Sequence, residues 1–157
     1  IATGSALTAR LSGSPRRTFV LMSDAGCNEG SVWEAVMFAA HHRLANLVTI
    51  VDVNGQQALG FTRDVIDLSP LEERWRAFGW DARTVDGHDC AALRSAIDGL
   101  SREPGSPHVL LAQTVFGHGV SFMEREIRWH YLPMDDHQYA SALAELGAAE
   151  SRPGVPA

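Results

Sequence analysis

The chain has 157 residues, 45% hydrophobic and 20% charged, a composition that fits one domain with a sizeable core and excludes a disordered chain. Thirteen Lys plus Arg against nineteen Asp plus Glu leave a formal charge of -6, with no basic run to track a phosphate backbone, so no nucleic-acid partner is expected. No apolar stretch reaches membrane-spanning length, and Cys27 and Cys90 lie in no zinc-like CxxC spacing, so neither a membrane segment nor a disulfide framework is expected and a cytoplasmic location is the default.

Residues 6–11 read as the end of an amphipathic helix, stopped by Ser12-Gly13-Ser14-Pro15. The chain opens at Ile1 in mid-pattern, which points to missing upstream material. Residues 19–23 read as a buried strand that stops at Asp24 and crosses the small-residue turn Ala25-Gly26-Cys27-Asn28. Short side chains there would let backbone N–H groups approach an anion. Residues 31–45 have helical spacing, with Ser31 as N-cap and Glu34 completing a capping box. Residues 46–52 form a β-branched run with almost no alternation, as in a strand buried on both faces, and the run again ends in a carboxylate, Asp52.

A polar, glycine-containing loop over 53–60 precedes a helix around 71–78 that breaks at Gly79. A strand over 80–85, a helix over 91–100 capped by Asp89 or the preceding turn, and a strand over 109–115 follow. Strands alternating with helices predict an α/β fold, a parallel sheet with helices on both faces and ligands at the carboxyl ends of the strands. Asp24, Asn54 and the turn Phe116-Gly117-His118-Gly119 fall at those ends. Residues 120–133 read as an irregular loop containing Trp129 and His130, after which Asp135 caps a last helix through Leu146. Residues 1–150 are therefore expected to form the domain and 151–157 a mobile, proline-rich tail, with no internal repeat.

Asp24 and Asn54 are thirty positions apart, each just past a predicted strand. Side by side they would offer oxygen-only ligation, which suits Mg²⁺ or Ca²⁺ rather than zinc, and Mg²⁺ completes its shell with water and phosphate oxygens. The same residues also suit an Asx turn at Asp24 and a left-handed loop conformation at Asn54, and spacing alone favours these turn roles.

The run from Phe19 to Gly60 resembles the diphosphate-binding domain of transketolases, whose thiamine-diphosphate fingerprint is Gly-Asp-Gly, a helix and strand, then Asn. Here it reads Ser23-Asp24-Ala25, with Asn28-Glu29-Gly30-Ser31-Val32-Trp33-Glu34-Ala35 following. The likeness continues through Val85-Asp86-Gly87-His88-Asp89, Gly117-His118-Gly119-Val120-Ser121-Phe122-Met123-Glu124 and Trp129-His130, and is greatest to N-terminal subunits of split transketolases. The resemblance implies thiamine diphosphate with Mg²⁺ (or Ca²⁺) held by the Asp24 and Asn54 side chains and the Gln56 carbonyl. It further implies N–H groups near Ala25 and Gly26 facing the diphosphate, Ala58 against the thiazolium, His130 beside diphosphate and sugar, and Glu29 in a carboxylate network between active sites. The implied chemistry is transfer of a two-carbon ketol unit from a ketose, a sugar or sugar phosphate, to an aldehyde. The implied partner is a C-terminal transketolase-like subunit carrying the pyrimidine-binding domain, in a heterotetramer.

Departures from the family pattern are Ser23 and Ala25 for glycines, Ala58 for a larger aliphatic residue, Leu59 for an aspartate and Tyr131 after His130. Alanine at a position needing positive φ would strain the turn. These changes point to a specialised, biosynthetic substrate or to a degenerate site. Alternative readings are the α subunit of a 2-oxoacid dehydrogenase, whose fingerprint ends in Asn-Asn where this chain has Val53-Asn54, and a non-catalytic scaffold. His41, His42 and His88 read chiefly as solvated or structural, His118 equally as a substrate-facing or a loop-packing residue, Cys27 as a small buried residue, and Trp33, Trp75 and Trp80 as core or interface.

Overall fold

The computed structural model describes residues 1–101 and 103–150, so the expected tail over 151–157 lies outside the described residues. Helix α1 (Ala2–Leu11) ends as its sequence predicts: Gly13 takes φ +66° and the Ser14 N–H reaches back to the Ala9 carbonyl at 2.9 Å. Strand β1 (Thr18–Ser23), a 3-10 turn (Ala25–Asn28), α2 (Gly30–His41) and β2 (Leu47–Val53) follow. The expected loop over 53–60 is instead a tight hairpin, β3 (Gln56–Gln57) and β4 (Gly60–Phe61), with Ala58 and Leu59 at its tip, leading into the single turn α3 (Thr62–Val65). Then come α4 (Leu71–Ala77), β5 (Asp81–Asp86), α5 (Cys90–Asp98), β6 (His108–Gln113), a 3-10 turn (Ile127–His130) and α6 (Asp136–Glu150).

The main sheet is all parallel in the order β1-β2-β6-β5. Crossovers are right-handed, so β1 to β2 and β2 to β5 place α2 and α4 on one face, and the reversal from β5 to β6 sends α5 to the other. The packing follows: Val36, Ala39, Trp75 and Trp80 join Val51, Val109 and Leu111 in one core, while Ala96 and Ile97 of α5 meet Val48 and Leu110 in a second. Helices therefore cover both faces, as expected.

Two local expectations are corrected. β1 is an edge strand rather than a buried one: Val20 and Met22 face the core, but Phe19 and Leu21 are 50% and 73% exposed. An apolar run reads the same whether it has one neighbour or two, and only sheet order separates the cases. Helix α2 begins at Gly30 with Glu29 as N-cap and no side-chain capping bond, so Ser31 and Glu34 form no capping box. The 3-10 turn runs almost directly into the helix and leaves no extended residue at Ser31 to act as a cap. By contrast Asp89 accepts the Ala91 and Ala92 N–H groups, and Asp135 exchanges bonds with Gln138 at 2.7 and 3.0 Å, so those caps form as read.

At the amino end of the sheet the buried His108 ring bridges Asp81 and the Ser101 carbonyl, 3.0 Å from each. Burial raises the Asp81 carboxyl, but the Arg83 and His108 donors and charges outweigh it and hold the group below its ordinary value of 3.8. A depressed folded-state value means stabilisation that is full above the unfolded value and lost as pH falls through the folded one. Urea melts of wild type and Asp81→Asn should therefore differ at pH 6 and converge toward pH 3. A gap independent of pH would refute the assignment.

Candidate active site

Register decides what meets at the carboxyl edge. Ser23 pairs with Asp52 and Val53 with Gln113, and the Asp24 N–H extends the ladder to the Asp52 carbonyl at 3.0 Å. Asp24 is thereby set beside the loop that leaves β2. Its carboxylate accepts the Ala25 N–H through Oδ1 and the Gly55 N–H through Oδ2, both at 2.8 Å. Asn54 is fixed through both ends of its amide: Oδ1 accepts the Gln56 N–H at 2.9 Å, and Nδ2 donates to Asp52 Oδ2 at 3.0 Å. Asp52 also accepts the Thr114 hydroxyl from the end of β6. Two turn readings now separate. Asp24 does cap the 3-10 turn, as an Asx residue would, but Gly55 at φ +74° takes the left-handed conformation, leaving Asn54 outside it.

Asp24 is 7% exposed, and its carboxyl lies above the ordinary value of 3.8 because burial dominates, aided by the charge on Asp52, against the lowering effect of the Gly55 and Ala25 N–H groups. Among the described residues no ion pair neutralises Asp24 or Asp52. Several buried polar atoms at this end meet no partner: Asn28 Oδ1, Gln56 Oε1, Gln57 Nε2 and His130 Nε2. Native proteins leave few such atoms unsatisfied. Asn28 and Asp24 line one small cavity of about 100 Å³, and Asn54, Gly55, His88 and Arg125 line a neighbouring cleft of about 700 Å³. Uncompensated carboxylates, an amide oxygen and orphaned buried polar atoms fit a divalent cation with a polar, phosphate-bearing ligand.

The substituted turn is unstrained. Ala25 opens the 3-10 turn and is absent from the non-glycine residues with positive φ, which are Arg43 and Arg125. Ser23, in place of a glycine, accepts the Gly26 N–H at 3.1 Å through its hydroxyl. The Ala25 and Gly26 N–H groups are thus both engaged within the turn. Cys27 is fully buried, and burial followed by the Asp24 charge pushes its thiol up to about 12, so it packs as a small apolar side chain.

His130 stacks on Phe116 with centroids 4.2 Å apart, and its turn lies against β3. Gln56 anchors that loop by donating from Nε2 to the Arg125 carbonyl at 2.9 Å. Glu29 is exposed at the start of α2, Ala58 and the 82%-exposed Leu59 form the hairpin tip, and Tyr131 is 64% exposed. His88 accepts the Val115 N–H at 2.8 Å, a structural role, and its ring centroid lies 3.9 Å from that of His118, tilted by 35°, with His118 3.3 Å from Glu124. The sequence pattern gives Asp52 only as the carboxylate that ends a strand and Asn28 only as part of a turn, and assigns no site role to either or to Arg125. The available signal was the Asp52 and Asn54 spacing of two, which puts side chains at a strand end on one side.

Gly117 shapes the loop above the site: it takes φ +75°, and an added Cβ would sit 2.5 Å from the Met123 carbonyl oxygen. Gly117→Ala should cost more than about 2 kcal/mol, because strain and a backbone clash add. Chemical denaturation checks this, and a wild-type midpoint would refute it.

This is a parallel α/β domain with a cluster of buried and half-buried oxygen-bearing side chains, Asp24, Asp52 and Asn54, at the carboxyl ends of its first two strands. The family described as transketolase, thiamine diphosphate binding domain, matches residues 11–156, and the chain belongs to it. It is 36% identical over 145 residues to a 6-deoxy-6-sulfo-D-fructose transketolase subunit from Clostridium sp. (strain MSTE9), covering 92% of this chain and 53% of that protein. It is 41% identical over 148 residues to an apulose-4-phosphate transketolase subunit from Actinobacillus succinogenes, covering 93% and 52%. The chain thus spans about half the length of these relatives. In fold it is similar to the transketolase of Campylobacter jejuni, with a TM-score of 0.84, 24% identity, and 93% of this chain against 24% of that one covered. No helix among the described residues is long and apolar enough to cross a membrane.

Proposed function

We propose that this chain is the diphosphate-binding part of a split transketolase-type enzyme that transfers a two-carbon ketol unit from a ketose to an aldehyde. The observation that carries this reading is the buried Asp24 carboxylate held at 2.8 Å by the Gly55 N–H with Asn54 anchored alongside, a preformed oxygen site at the β1 and β2 ends. In this reading Asp24, Asn54 and the Gln56 carbonyl hold Mg²⁺ (or Ca²⁺), which anchors the diphosphate of thiamine diphosphate. When bound, the cofactor supplies the nucleophilic carbon of its thiazolium for cleavage beside a ketose carbonyl.

This chain's residues bind, orient and exclude water. Asp52 fixes the Asn54 amide, whose oxygen keeps a second lone pair for the metal beyond its bond from the Gln56 N–H. Gly26 and Ala25 allow close backbone approach, and Ala58 forms part of the cofactor wall. His130 donates to a phosphate or substrate oxygen and can move a proton there. Glu29 faces a carboxylate of the partner. That partner is a C-terminal transketolase-like subunit carrying a pyrimidine-binding domain, in a heterotetramer. The relatives are named for phosphorylated or sulfonated sugars, which supports a sugar substrate of that kind; specialised carbohydrate metabolism in the cytoplasm is part of the same proposal.

Calorimetry of the complex reconstituted with its partner subunit tests the reading. Thiamine diphosphate should bind only with Mg²⁺ or Ca²⁺ present, and a ketose donor should yield ketol transfer. Decarboxylation of a 2-oxoacid without ketol transfer would favour the dehydrogenase alternative, and absence of cofactor binding would favour a scaffold.

A further inference from the structure

A second cleft, of about 520 Å³, opens at the opposite end of the sheet and is lined by Arg10, Ser14, Arg17, Arg43, Asn46 and Pro104. Its volume is within the range of small-molecule sites, about 300–1,000 Å³. It lies about 20 Å from Asp24, the length of a six-residue strand. We propose that this cleft binds a small multivalent oxyanion of the pyrophosphate or phosphate-ester class, independently of the function proposed above.

Charge supports the assignment. The protein carries -6 overall, yet residues 1–23 contain no Asp or Glu, and three arginines converge here. Among the described residues neither Arg10 nor Arg43 forms an ion pair. A guanidinium presents a planar fork of donors that matches phosphate oxygens.

Backbone conformation supports it too. Arg43 follows the end of α2 at φ +47°, where glycine is the unstrained choice, and only one other non-glycine residue among those described has positive φ. The residue held in that conformation is a cation that lines the cleft. The walls are fixed, because the Asn46 amide ties α1 to the segment before β1 through bonds to the Ala6 and Arg16 carbonyls at 2.9 and 3.4 Å. Two carbonyls near the ends of α1 and α2 already accept a backbone N–H, Ala9 from Ser14 at 2.9 Å and Ala39 from Leu44 at 3.1 Å.

Titration calorimetry of the full chain with inorganic pyrophosphate, in EDTA to disable metal-dependent binding at the other end, tests the proposal. Wild type should bind saturably. Arg10→Gln and Arg43→Gly should each weaken binding about tenfold or more, the loss expected for a charged hydrogen bond. Arg94→Gln, an equal charge change on the exposed side of α5, should leave it unaltered. Glycine suits φ +47°, so the Arg43→Gly protein should melt no lower than wild type and its folding does not confound the result. Wild-type affinity in Arg43→Gly, equal weakening in all three variants, or no saturable binding by wild type would each overturn the proposal.

Discussion

Asp24→Asn is expected to abolish metal-dependent binding of thiamine diphosphate, weakening it by at least about 100-fold. The cost to stability should be only about 1–2 kcal/mol. Both carboxylate oxygens accept backbone N–H groups, from Ala25 and Gly55, so the site is shaped for a group that only accepts. An amide keeps the volume but turns an NH2 toward one of those donors, and it removes the charge that attracts a cation. Asp52 forms no direct part of the proposed ligand set but orients Asn54, and Asp52→Ala should cost about 10–100-fold in metal affinity.

The pH dependence carries the same signature. Because burial, with the Asp52 charge, raises the Asp24 carboxyl in the folded state, the folded chain holds this proton more tightly than the unfolded one. The contribution of Asp24 to stability is therefore present at low pH and is lost as pH rises through the folded-state value. A cation reverses this by selecting the ionised form, so the rise in melting temperature produced by Mg²⁺ and thiamine diphosphate should be larger at pH 7 than at pH 4. Equal ligand-induced shifts at both pH values, or wild-type cofactor affinity in Asp24→Asn, would remove Asp24 from the site.

Trp75→Ala is the largest expected stability change, about 3–5 kcal/mol, a sizeable share of the 5–15 kcal/mol typical of a domain. Trp75 is 1% exposed and lies between Trp33 and Trp80, with ring centroids 5.6 and 4.8 Å away. These rings join α2, α4 and the start of β5, and Trp80 Nε1 adds a bond to the Val36 carbonyl at 3.0 Å. Truncation leaves a cavity that three rigid elements cannot close. Trp75→Phe should cost far less, because the Trp75 indole N–H is buried without a partner and its removal relieves a desolvation penalty. Equilibrium urea unfolding separates the two variants, and equal midpoints would show that the ring contacts are not what holds α4 to the sheet.

Alternation of apolar runs with helical spacing determined the class of fold, since a parallel sheet needs crossovers and each of its central strands is buried on both faces. The caps at Asp89 and Asp135 and the stop at Gly13 were legible because each rests on a few adjacent residues. That the Asp24 turn and the loop leaving β2 meet at neighbouring strand ends was legible as a position, two strand ends joined by one helix. Sequence did not reveal that β1 lies at an edge, because sheet order depends on contacts far apart in the chain. Nor did it reveal the β3-β4 hairpin, two residues long on each side, which is too short to show a period. Only the tertiary structure decided that Asp52 orients Asn54, that Gly55 rather than Asn54 takes the left-handed turn, and that Ala25 sits without strain in a 3-10 turn capped by Asp24. Each of these depends on backbone angles and on the register between β1 and β2, which a pattern of residue types does not encode.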